Sequence, residues 1–516
     1  MKEYIITVKD PAVWDTGLWD ELTTDGLGDN FIPKRAIEVL NERPFNDFSV
    51  HFNLTDEEAT EIKQDSRIAF VELNADLQPG VEKGFNGVRP TARYDRHPAN
   101  TTSAMKNWGL HRCINQADPY GTNTSATTEF PYNLDGTGVD VIVMDAGVEP
   151  NHPEFAVNAD GTGGSRVVDF DWASLGVPGT ASAGSIGGYL GDADGHGSHC
   201  ASVSCGNTQG WASGAAIYSI RIFPGPNIRT GAYLGTIDSN IAFDLVRAFH
   251  LAKIAAGNTR PTICTNSWGY RSGYSGMIST VWRGTTYSTT SRNSTYGQVH
   301  SLHPYVVNYV DVSATNCSNA GVILVGAAGN YYHKIDVPGG QDYNNYYNSY
   351  YGITYYHRGS SPTRADGFIN VGAVDTIQTN PALERKSNFS ETGPRVNIYA
   401  PGNMVMGAYA NKPYATNAVP DPRNSAFYLN KVSGTSMACP QVTGVLACFL
   451  QARPTATAAD CLAWLIENST PNALNENPSS LPGGGTTYTN NYYLQGGNNR
   501  ILHQPFKSSM RGGITS

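Results

Sequence analysis

Short apolar runs alternate with longer amphipathic stretches through most of this chain. Short runs of four to seven residues, rich in apolar and β-branched side chains, predict buried strands at 139–144, 216–222, 262–266 and 322–325. Helical spacing of apolar residues follows at 241–256 and 306–320, and again at 456–467. Strands that are apolar on both sides are typical of a parallel sheet that is covered on both faces. The pattern therefore predicts an α/β fold, with helices on both faces of a parallel sheet.

Residues 1–77 follow a pattern of their own on a smaller scale. Strands are predicted at 4–8, at the alternating Phe48, Val50, Phe52 and Leu54, and at 68–73. Pro33 to Asn41 predicts a short helix, and the capping box Thr55-Asp56-Glu57-Glu58 opens a second helix that runs to about Gln64. The segment is predicted to be a small α/β sandwich domain.

Three other regions have a loop-like composition. Residues 78–104 are rich in Pro, Gly, Asn and basic side chains without periodicity, which predicts a linker before a large domain at 105–470. Residues 270–303 and 331–356 are Tyr-rich inserts, for which a binding surface and a packed surface loop stay equally open. Residues 471–516 are rich in Gly, Asn and Ser, and we expect an extension that wraps the domain or contacts a partner.

Composition narrows the classes of function. The chain has 35 Lys plus Arg against 44 Asp plus Glu, a net charge of −9, and no long run of charges of one sign, so a nucleic-acid partner is not expected. No apolar run is long enough to cross a bilayer or to form a signal-peptide core, so no membrane association is expected. Charged residues make up 15% of the chain, below the roughly 25% usual in globular domains. A surface made polar by hydroxyl and amide groups favours a secreted or virion-associated protein over a cytoplasmic one.

The eight cysteines lack the Cys-x-x-Cys spacing of metal sites. Cys200, Cys439 and Cys448 fall in predicted core helices, where a thiol packs as a small apolar group. Disulfides stay open at this point.

The chemistry centres on Ser436. The run Ser433-Gly434-Thr435-Ser436 forms a tight turn before an apolar stretch that extends to Leu450, which predicts a buried helix with Ser436 at its N-terminus. Unpaired N–H groups and the helix dipole favour an anionic oxygen there, as a serine nucleophile generates. The alternative is an ordinary Gly-Thr-Ser helix cap.

A serine nucleophile needs a base and an orienting carboxylate, and the chain offers both. Asp145 ends the strand predicted at 139–144, at its carboxyl edge. His196 lies between two glycines, at the start of a helix of small residues.

These motifs resemble those of the subtilisin-like serine proteases, the subtilases, in which Asp, His and Ser follow one another in this order. His152-Pro153-Glu154-Phe155, Ser267-Trp268-Gly269, Ala328-Gly329-Asn330 and Tyr399-Ala400-Pro401-Gly402 also match family motifs. The sequences from Gly195 to Cys200 and from Asn107 to Arg112 are most similar to those of the proteinase K branch. The first 77 residues resemble the inhibitory propeptide of the family.

The resemblance implies a role for each site residue. Asp145, His196 and Ser436 would form the catalytic triad, Asn330 would donate to the oxyanion, and Ser267, Trp268 and Gly269 would bind the substrate backbone as an added strand. Gly231 to Leu234 would form the opposing segment. The chain departs from the family at Ala146, Ser198 and Gln441, and the first departure removes a hydroxyl that would support the carboxylate.

No cofactor is needed for such chemistry, and no metal ligands are assigned. Structural calcium stays open, because family members often bind it although no spaced carboxylate loop is evident. The expected partners are polypeptide substrates, the chain's own propeptide, and an assembly formed through the Tyr-rich inserts or the C-terminal extension.

The expected function is that of a serine endopeptidase made as a self-processing zymogen, with its cut inside 78–104. The alternative is a structural or binding protein, for example of a virus particle, that keeps the fold with little or only self-directed proteolysis.

Overall fold

A computed structural model of the protein describes residues 1–41, 48–78, 81–85, 107–118, 134–376, 383–410, 418–476 and 492–505. The first two ranges form a small unit with its own apolar core, centred on Ile6, Phe52 and Ile62. Its sheet has the strand order β2-β3-β1-β4. The strands and helices are β1 (Lys2–Val8), α1 (Trp19–Thr23), β2 (Glu38–Asn41), β3 (Ser49–Leu54), α2 (Asp56–Ile62) and β4 (Ile68–Leu73).

The helix predicted from Pro33 to Asn41 is wrong. Glu38–Asn41 is strand β2, which pairs antiparallel with β3, and helical structure lies earlier, in a segment at Trp14–Leu18 that is kinked at Thr16 and Gly17 and leads into α1. Four residues are too few for helical spacing to be distinguished from strand spacing, and the open edge of β3 supplies backbone partners that decide for the strand. The capping box at Thr55 is confirmed, because its side chain and that of Glu58 bond each other's backbone N–H groups.

Strand β3 is buried on both faces rather than on one, because the large domain covers its second face. His51 of β3 reaches Asn240 of that domain, with His51 Nε2 and Asn240 Nδ2 separated by 3.0 Å. Glu72 of β4 accepts from Asn308 Nδ2 at 2.9 Å and from the Tyr309 N–H at 3.2 Å. The small unit is therefore docked on the large domain through these polar contacts and through Ile5 and Ala75, which belong to an apolar cluster of the large domain.

A nine-stranded sheet forms the centre of the large domain and is parallel except at one edge. Its strand order is β24-β25-β20-β19-β16-β11-β6-β8-β7. Only the β24–β25 pair within it is antiparallel. The strands are β6 (Asp140–Asp145), β7 (Val167–Val168), β8 (Ala216–Arg221), β11 (Thr262–Asn266), β16 (Ile323–Ala327), β19 (Phe368–Val374), β20 (Ile398–Pro401), β24 (Thr470–Pro471) and β25 (Arg500–Ile501).

Helices cover both faces of this sheet, as predicted. Val141 and Val143 of β6 point into the core shared with α5, α8 and α9, whereas Ile142 and Met144 point into the core shared with α6 and α7. The helices of the domain are α3 (Trp108–Asn115), α4 (Ala183–Ile186), α5 (His196–Cys205), α6 (Ser239–Ala255), α7 (Asn308–Asn319), α8 (Thr435–Ala452) and α9 (Ala458–Asn468). Within the described ranges, no helix is long and apolar enough to cross a membrane.

The two Tyr-rich inserts form β-structure instead of irregular loops. Strands β13 and β14 from the first insert and β17 and β18 from the second make one antiparallel sheet, in the order β14-β13-β17-β18. Tyr347 and Tyr356 are buried inside it, whereas Tyr350 and Tyr351 are exposed. The remaining strands are β9 (Gly225–Pro226), β10 (Tyr233–Leu234), β12 (Trp268–Gly273), β13 (Met277–Trp282), β14 (Thr285–Tyr287), β15 (Leu302–Pro304), β17 (Tyr346–Ser349), β18 (Gly352–Tyr355), β21 (Val405–Tyr409), β22 (Val419–Asp421) and β23 (Asn424–Val432).

Two boundaries predicted from composition are corrected by strand pairing. The expected linker 78–104 contains strand β5 (Val81–Phe85), which pairs antiparallel with β12. The expected extension 471–516 contributes part of β24 and the whole of β25 to the central sheet, so the domain does not end at 470. Residues 86–104, 477–491 and 506–516 lie outside the described residues, so a cut within 86–104 stays a prediction.

Candidate active site

Asp145 and His196 meet at the carboxyl edge of the sheet. Asp145 ends β6 and His196 begins α5, and Nδ1 of the imidazole lies 2.8 Å from Oδ1 and 3.0 Å from Oδ2 of the carboxylate. Both side chains are buried. The approach depends on Gly197, because a Cβ there would lie 2.0 Å from the Gly147 carbonyl oxygen. The absence of a side chain at Gly197 therefore lets the start of α5 touch the turn after β6.

The surroundings of this pair favour the imidazolium form. Burial disfavours the charged ring, but the Asp145 carboxylate and the Cys200 thiol together outweigh it, and the pKa of His196 is raised well above its ordinary value. Ala146 has no hydroxyl to bond the Asp145 carboxylate. Its backbone N–H supports the carboxylate instead, by donating to Oδ1 at 2.7 Å. Cys200, one turn further along α5, places its Sγ 3.8 Å from His196 Nδ1.

Ser436 lies in the first turn of α8, as predicted. Its Oγ donates to the Ser267 carbonyl at 2.9 Å, and Ser267 Oγ donates in return to the Ser436 carbonyl at 2.9 Å. Cys200 Sγ also donates to that carbonyl, at 3.5 Å, and so links the histidine helix to the serine helix. Pro440 lies inside α8, four residues after Ser436. Because proline has no N–H to donate back to Ser436, the carbonyl is open to these two side chains.

Asn330 is fixed beside Ser436 by Thr435. The Asn330 Oδ1 accepts from the Thr435 N–H at 2.9 Å and from its hydroxyl at 3.0 Å, and the Gly329 N–H donates to the same hydroxyl at 3.1 Å. The Asn330 Nδ2 is buried and has no hydrogen-bond partner among the described residues. With Oδ1 held in this way, the amide keeps its N–H donors for another acceptor.

The segment from Ser267 to Gly269 begins beside Ser436 and continues into β12, whose edge is paired with strand β5. Trp268 pairs with Phe85 and Gly269 with Gly84, so strand β5 of the chain lies along β12. The Trp268 indole itself is buried between Phe243 and Tyr270, so its backbone and not its ring faces the edge. Residues 231–234 do not form an opposing strand to β5 among the described pairings, since β10 pairs with β9.

The other motif residues hold the scaffold. The Gln441 Oε1 accepts from Trp211 Nε1 at 2.7 Å, and its Nε2 donates to Asn107 Oδ1 at 3.0 Å, which fixes α3 against α8. Ser198 Oγ accepts from the Glu149 N–H, and His199 donates to two backbone carbonyls. Sequence reasoning treated Cys200 only as a core residue and assigned no role to Thr435. The signal for Thr435 was a polar residue in the first turn of an otherwise buried helix.

Among the described residues, the only group of three His, Cys, Asp or Glu ligand atoms brought together is that of Asp145, His196 and Cys200. Where two buried carboxylates approach, at Asp336 and Asp342, Lys334 Nζ lies 3.2 Å and 2.8 Å from them and supplies the positive charge. The thiols of all eight cysteines are free and buried, so no disulfide forms.

Comparison with known proteins identifies relatives of this chain. The sequence model of the subtilase family matches residues 136–490. An extracellular serine proteinase of Thermus sp. (strain Rt41A) is 24% identical over 429 residues, which are 82% of this chain and 72% of that protein. Proteinase R of Parengyodontium album is 26% identical over 365 residues, 70% of this chain and 64% of its own length.

A solved structure supports the fold. Fervidolysin from Fervidobacterium pennivorans, a keratinolytic enzyme related to subtilisin, superposes with a TM-score of 0.52 at 18% identity, over 100% of this chain and 61% of that one. The resemblance inferred from the motifs is confirmed at the level of the family and the fold. The chain belongs to the subtilase family of serine peptidases.

Proposed function

We propose that this chain is a serine endopeptidase that hydrolyses peptide bonds through Asp145, His196 and Ser436. The observation that carries the proposal is the buried contact of 2.8 Å between His196 Nδ1 and the Asp145 carboxylate, on a helix that Cys200 joins to the Ser436 turn. A histidine oriented in this way by a carboxylate has its other ring nitrogen left to act as a base.

In the proposed reaction, Ser436 Oγ attacks the carbonyl carbon of a peptide and His196 accepts the hydroxyl proton. The tetrahedral intermediate collapses, the C–N bond breaks, and His196 returns the proton to the leaving amine. Water then attacks the acyl-enzyme with His196 again as the base, which releases the carboxylic acid product and restores Ser436. Asp145 stabilises the imidazolium in both halves.

The developing oxyanion would accept from Asn330 Nδ2 and from the Ser436 N–H. Support for the first donor comes from the two Thr435 contacts that fix Oδ1 and leave Nδ2 available. Support for the second comes from the position of Ser436 in the first turn of α8, where N–H groups have no partner within the helix. Both donors are fixed before the reaction, so little reorganisation is needed.

The test uses Ser436→Ala beside Ser204→Ala, a buried helical serine whose hydroxyl bonds only carbonyls of its own helix. Ser436→Ala should lose roughly three to six powers of ten in casein hydrolysis and all labelling by a fluorophosphonate, whereas the control keeps both. A Ser436→Ala variant with a substantial fraction of parent activity would contradict the proposal. A parent protein that neither labels nor cleaves would favour the structural alternative.

We also propose that the chain is a zymogen in which residues 1–77 inhibit the site and are released by self-processing. Strand β5 pairs with β12 so that Phe85 lies opposite Trp268, the residue after Ser267. Since Ser267 bonds Ser436, the antiparallel strand runs toward the nucleophile as it passes Phe85. This direction supports a cut shortly after Phe85, and we therefore propose 86–104 instead of the wider expected range 78–104.

Expression of the parent and of Ser436→Ala tests the processing step. The parent should appear as two fragments, with a new N-terminus in the first few residues after Phe85, and the variant as one intact chain. Equal intactness of both proteins, or the same cut in both, would contradict self-processing.

A secreted or particle-borne location remains our proposal, since one relative is named an extracellular proteinase.

A further inference from the structure

Glu391 is a buried acidic residue that lies against the turn carrying Asn330. Its side chain and backbone are only 2% exposed, and it belongs to none of the motifs that indicated the family. The Glu391 N–H donates to the Gly329 carbonyl at 2.9 Å, and its carboxyl group accepts from the Tyr331 N–H. One residue therefore bonds the backbone on both sides of Asn330.

The contact with Gly329 is a close one. A Cβ at Gly329 would lie 2.7 Å from the Glu391 Cδ, so the carboxyl group packs directly on the glycine backbone. On its other side the same turn is bonded by Thr435, through Asn330 Oδ1 and the Gly329 N–H. The turn is thus held between α8 and Glu391. Thr435 of α8 bonds the Gly329 N–H and Glu391 bonds the Gly329 carbonyl, and both contacts lie next to the Asn330 side-chain amide.

Glu391 is itself held in place by the segment before it. Lys386 is 1% exposed, and its Nζ donates to the Ser387 carbonyl at 3.0 Å and to the Ser390 carbonyl at 2.6 Å. Burial raises the pKa of Glu391 well above its ordinary value, which Lys386 only partly offsets. In either protonation state one carboxyl oxygen can accept from the Tyr331 N–H, so the contact needs an acceptor and not a charge.

We propose that Glu391 is a positioning residue that fixes the Asn330 turn so that Asn330 Nδ2 points at the developing oxyanion. The inference rests on the proposed oxyanion role of Asn330. A donor displaced by a fraction of an ångström weakens transition-state binding more than substrate binding, so loss of the contact should lower kcat and leave KM nearly unchanged.

The experiment compares three substitutions of Glu391 in the full chain after activation, with kcat normalised by active-site titration. Glu391→Gln keeps an acceptor of the same shape and should retain kcat within about threefold, whereas Glu391→Met keeps the volume without an acceptor and should lose about ten- to a hundredfold, with KM changed less than about twofold. Glu391→Ala should resemble Met, and the Met variant decides if the Ala variant does not fold. Glu384→Ala removes another buried carboxyl, which pairs with Arg112, and controls for general destabilisation.

A double-mutant cycle with Asn330→Ala separates positioning from folding. If Glu391 acts through Asn330, Glu391→Met should change kcat less than about twofold in the Asn330→Ala background. A full ten- to hundredfold loss in that background, or a Met variant with parent turnover, would overturn the proposal. If Asn330→Ala alone has parent turnover, the proposed role of Asn330 fails, and that result is read without any Glu391 variant.

Discussion

Gly197→Ala tests whether the backbone contact between α5 and the turn after β6 sets the geometry of the histidine. The added Cβ would lie 2.0 Å from the Gly147 carbonyl oxygen and 3.0 Å from its carbonyl carbon, whereas ordinary contact begins at 3.4 Å. The neighbour is backbone at the end of a central strand, which cannot rotate away as a side chain can. The start of α5 must therefore move by about 1 Å or more.

The magnitude follows from what α5 carries. His196 is the residue before Gly197, and its Nδ1 is 2.8 Å from Asp145, so a shift of this size stretches that hydrogen bond beyond useful length. Misplacement of a catalytic group by about 1 Å costs roughly a hundredfold in rate, and overpacking of a tight core costs about 1–3 kcal/mol. We expect kcat/KM to fall by about a hundredfold, and the free energy of unfolding by about 1–3 kcal/mol.

Steady-state kinetics on a chromogenic peptide measure the first effect. Urea unfolding in the Ser436→Ala background, where no self-digestion is expected, measures the second. Gly184→Ala in α4 is the matched control, because a Cβ there meets nothing within 4 Å and should leave both quantities nearly unchanged. Parent kinetics in Gly197→Ala would refute the reasoning, since the contact would then not position His196.

Three further predictions concern protonation and anchoring. Because the pKa of His196 is raised well above its ordinary value, kcat/KM should rise with pH, with the midpoint of this rise above about pH 6.5. Asp145→Asn should move the midpoint to lower pH, and an unmoved midpoint would contradict the assignment. Burial lowers the pKa of His303 and of His357 to about 4. The free energy of unfolding should therefore be highest above about pH 6.5, where both rings are neutral, and should fall by about 3 kcal/mol for each ring as the pH drops toward 4. A Tm of the Ser436→Ala variant that stays constant over this pH range would disprove it. Thr435→Val should lower kcat by about tenfold and the free energy of unfolding by about 1–3 kcal/mol, because it leaves the Gly329 N–H unpaired and removes one of the two hydrogen bonds to Asn330 Oδ1. Unchanged turnover would show that the remaining bond from the Thr435 N–H is sufficient.

The sequence alone determined the elements whose signals are local. Five consecutive residues at 262–266 predicted strand β11 with both bounds correct, and Thr55 with Glu58 marked the start of a helix, because burial pattern and capping act within a few residues. The chain order of Asp145, His196 and Ser436 indicated the family for a similar reason. The chemistry needs these residue types, and the turns that present them need adjacent small residues.

Tertiary structure alone decided the pairings between distant segments. Val281 and Tyr346 are 65 positions apart in the chain, yet they pair where β13 of the first Tyr-rich insert meets β17 of the second, and nothing local marks the two segments as strands of one sheet. The same holds for β5, whose composition is that of a linker but whose backbone is paired by β12, and for β25, which completes the edge of the central sheet. Hydrogen-bond partners on an open strand edge override weak local preference.

Contacts around the site are the clearest case. Cys200 was predicted only as a core residue and Glu391 belonged to no motif, yet the first joins His196 to the Ser436 turn and the second packs against Gly329. Neither contact has a sequence signature, because each depends on where helices and turns far apart in the chain come to lie. A sequence pattern predicts which chemical groups are available, and the packing of the fold decides which of them touch.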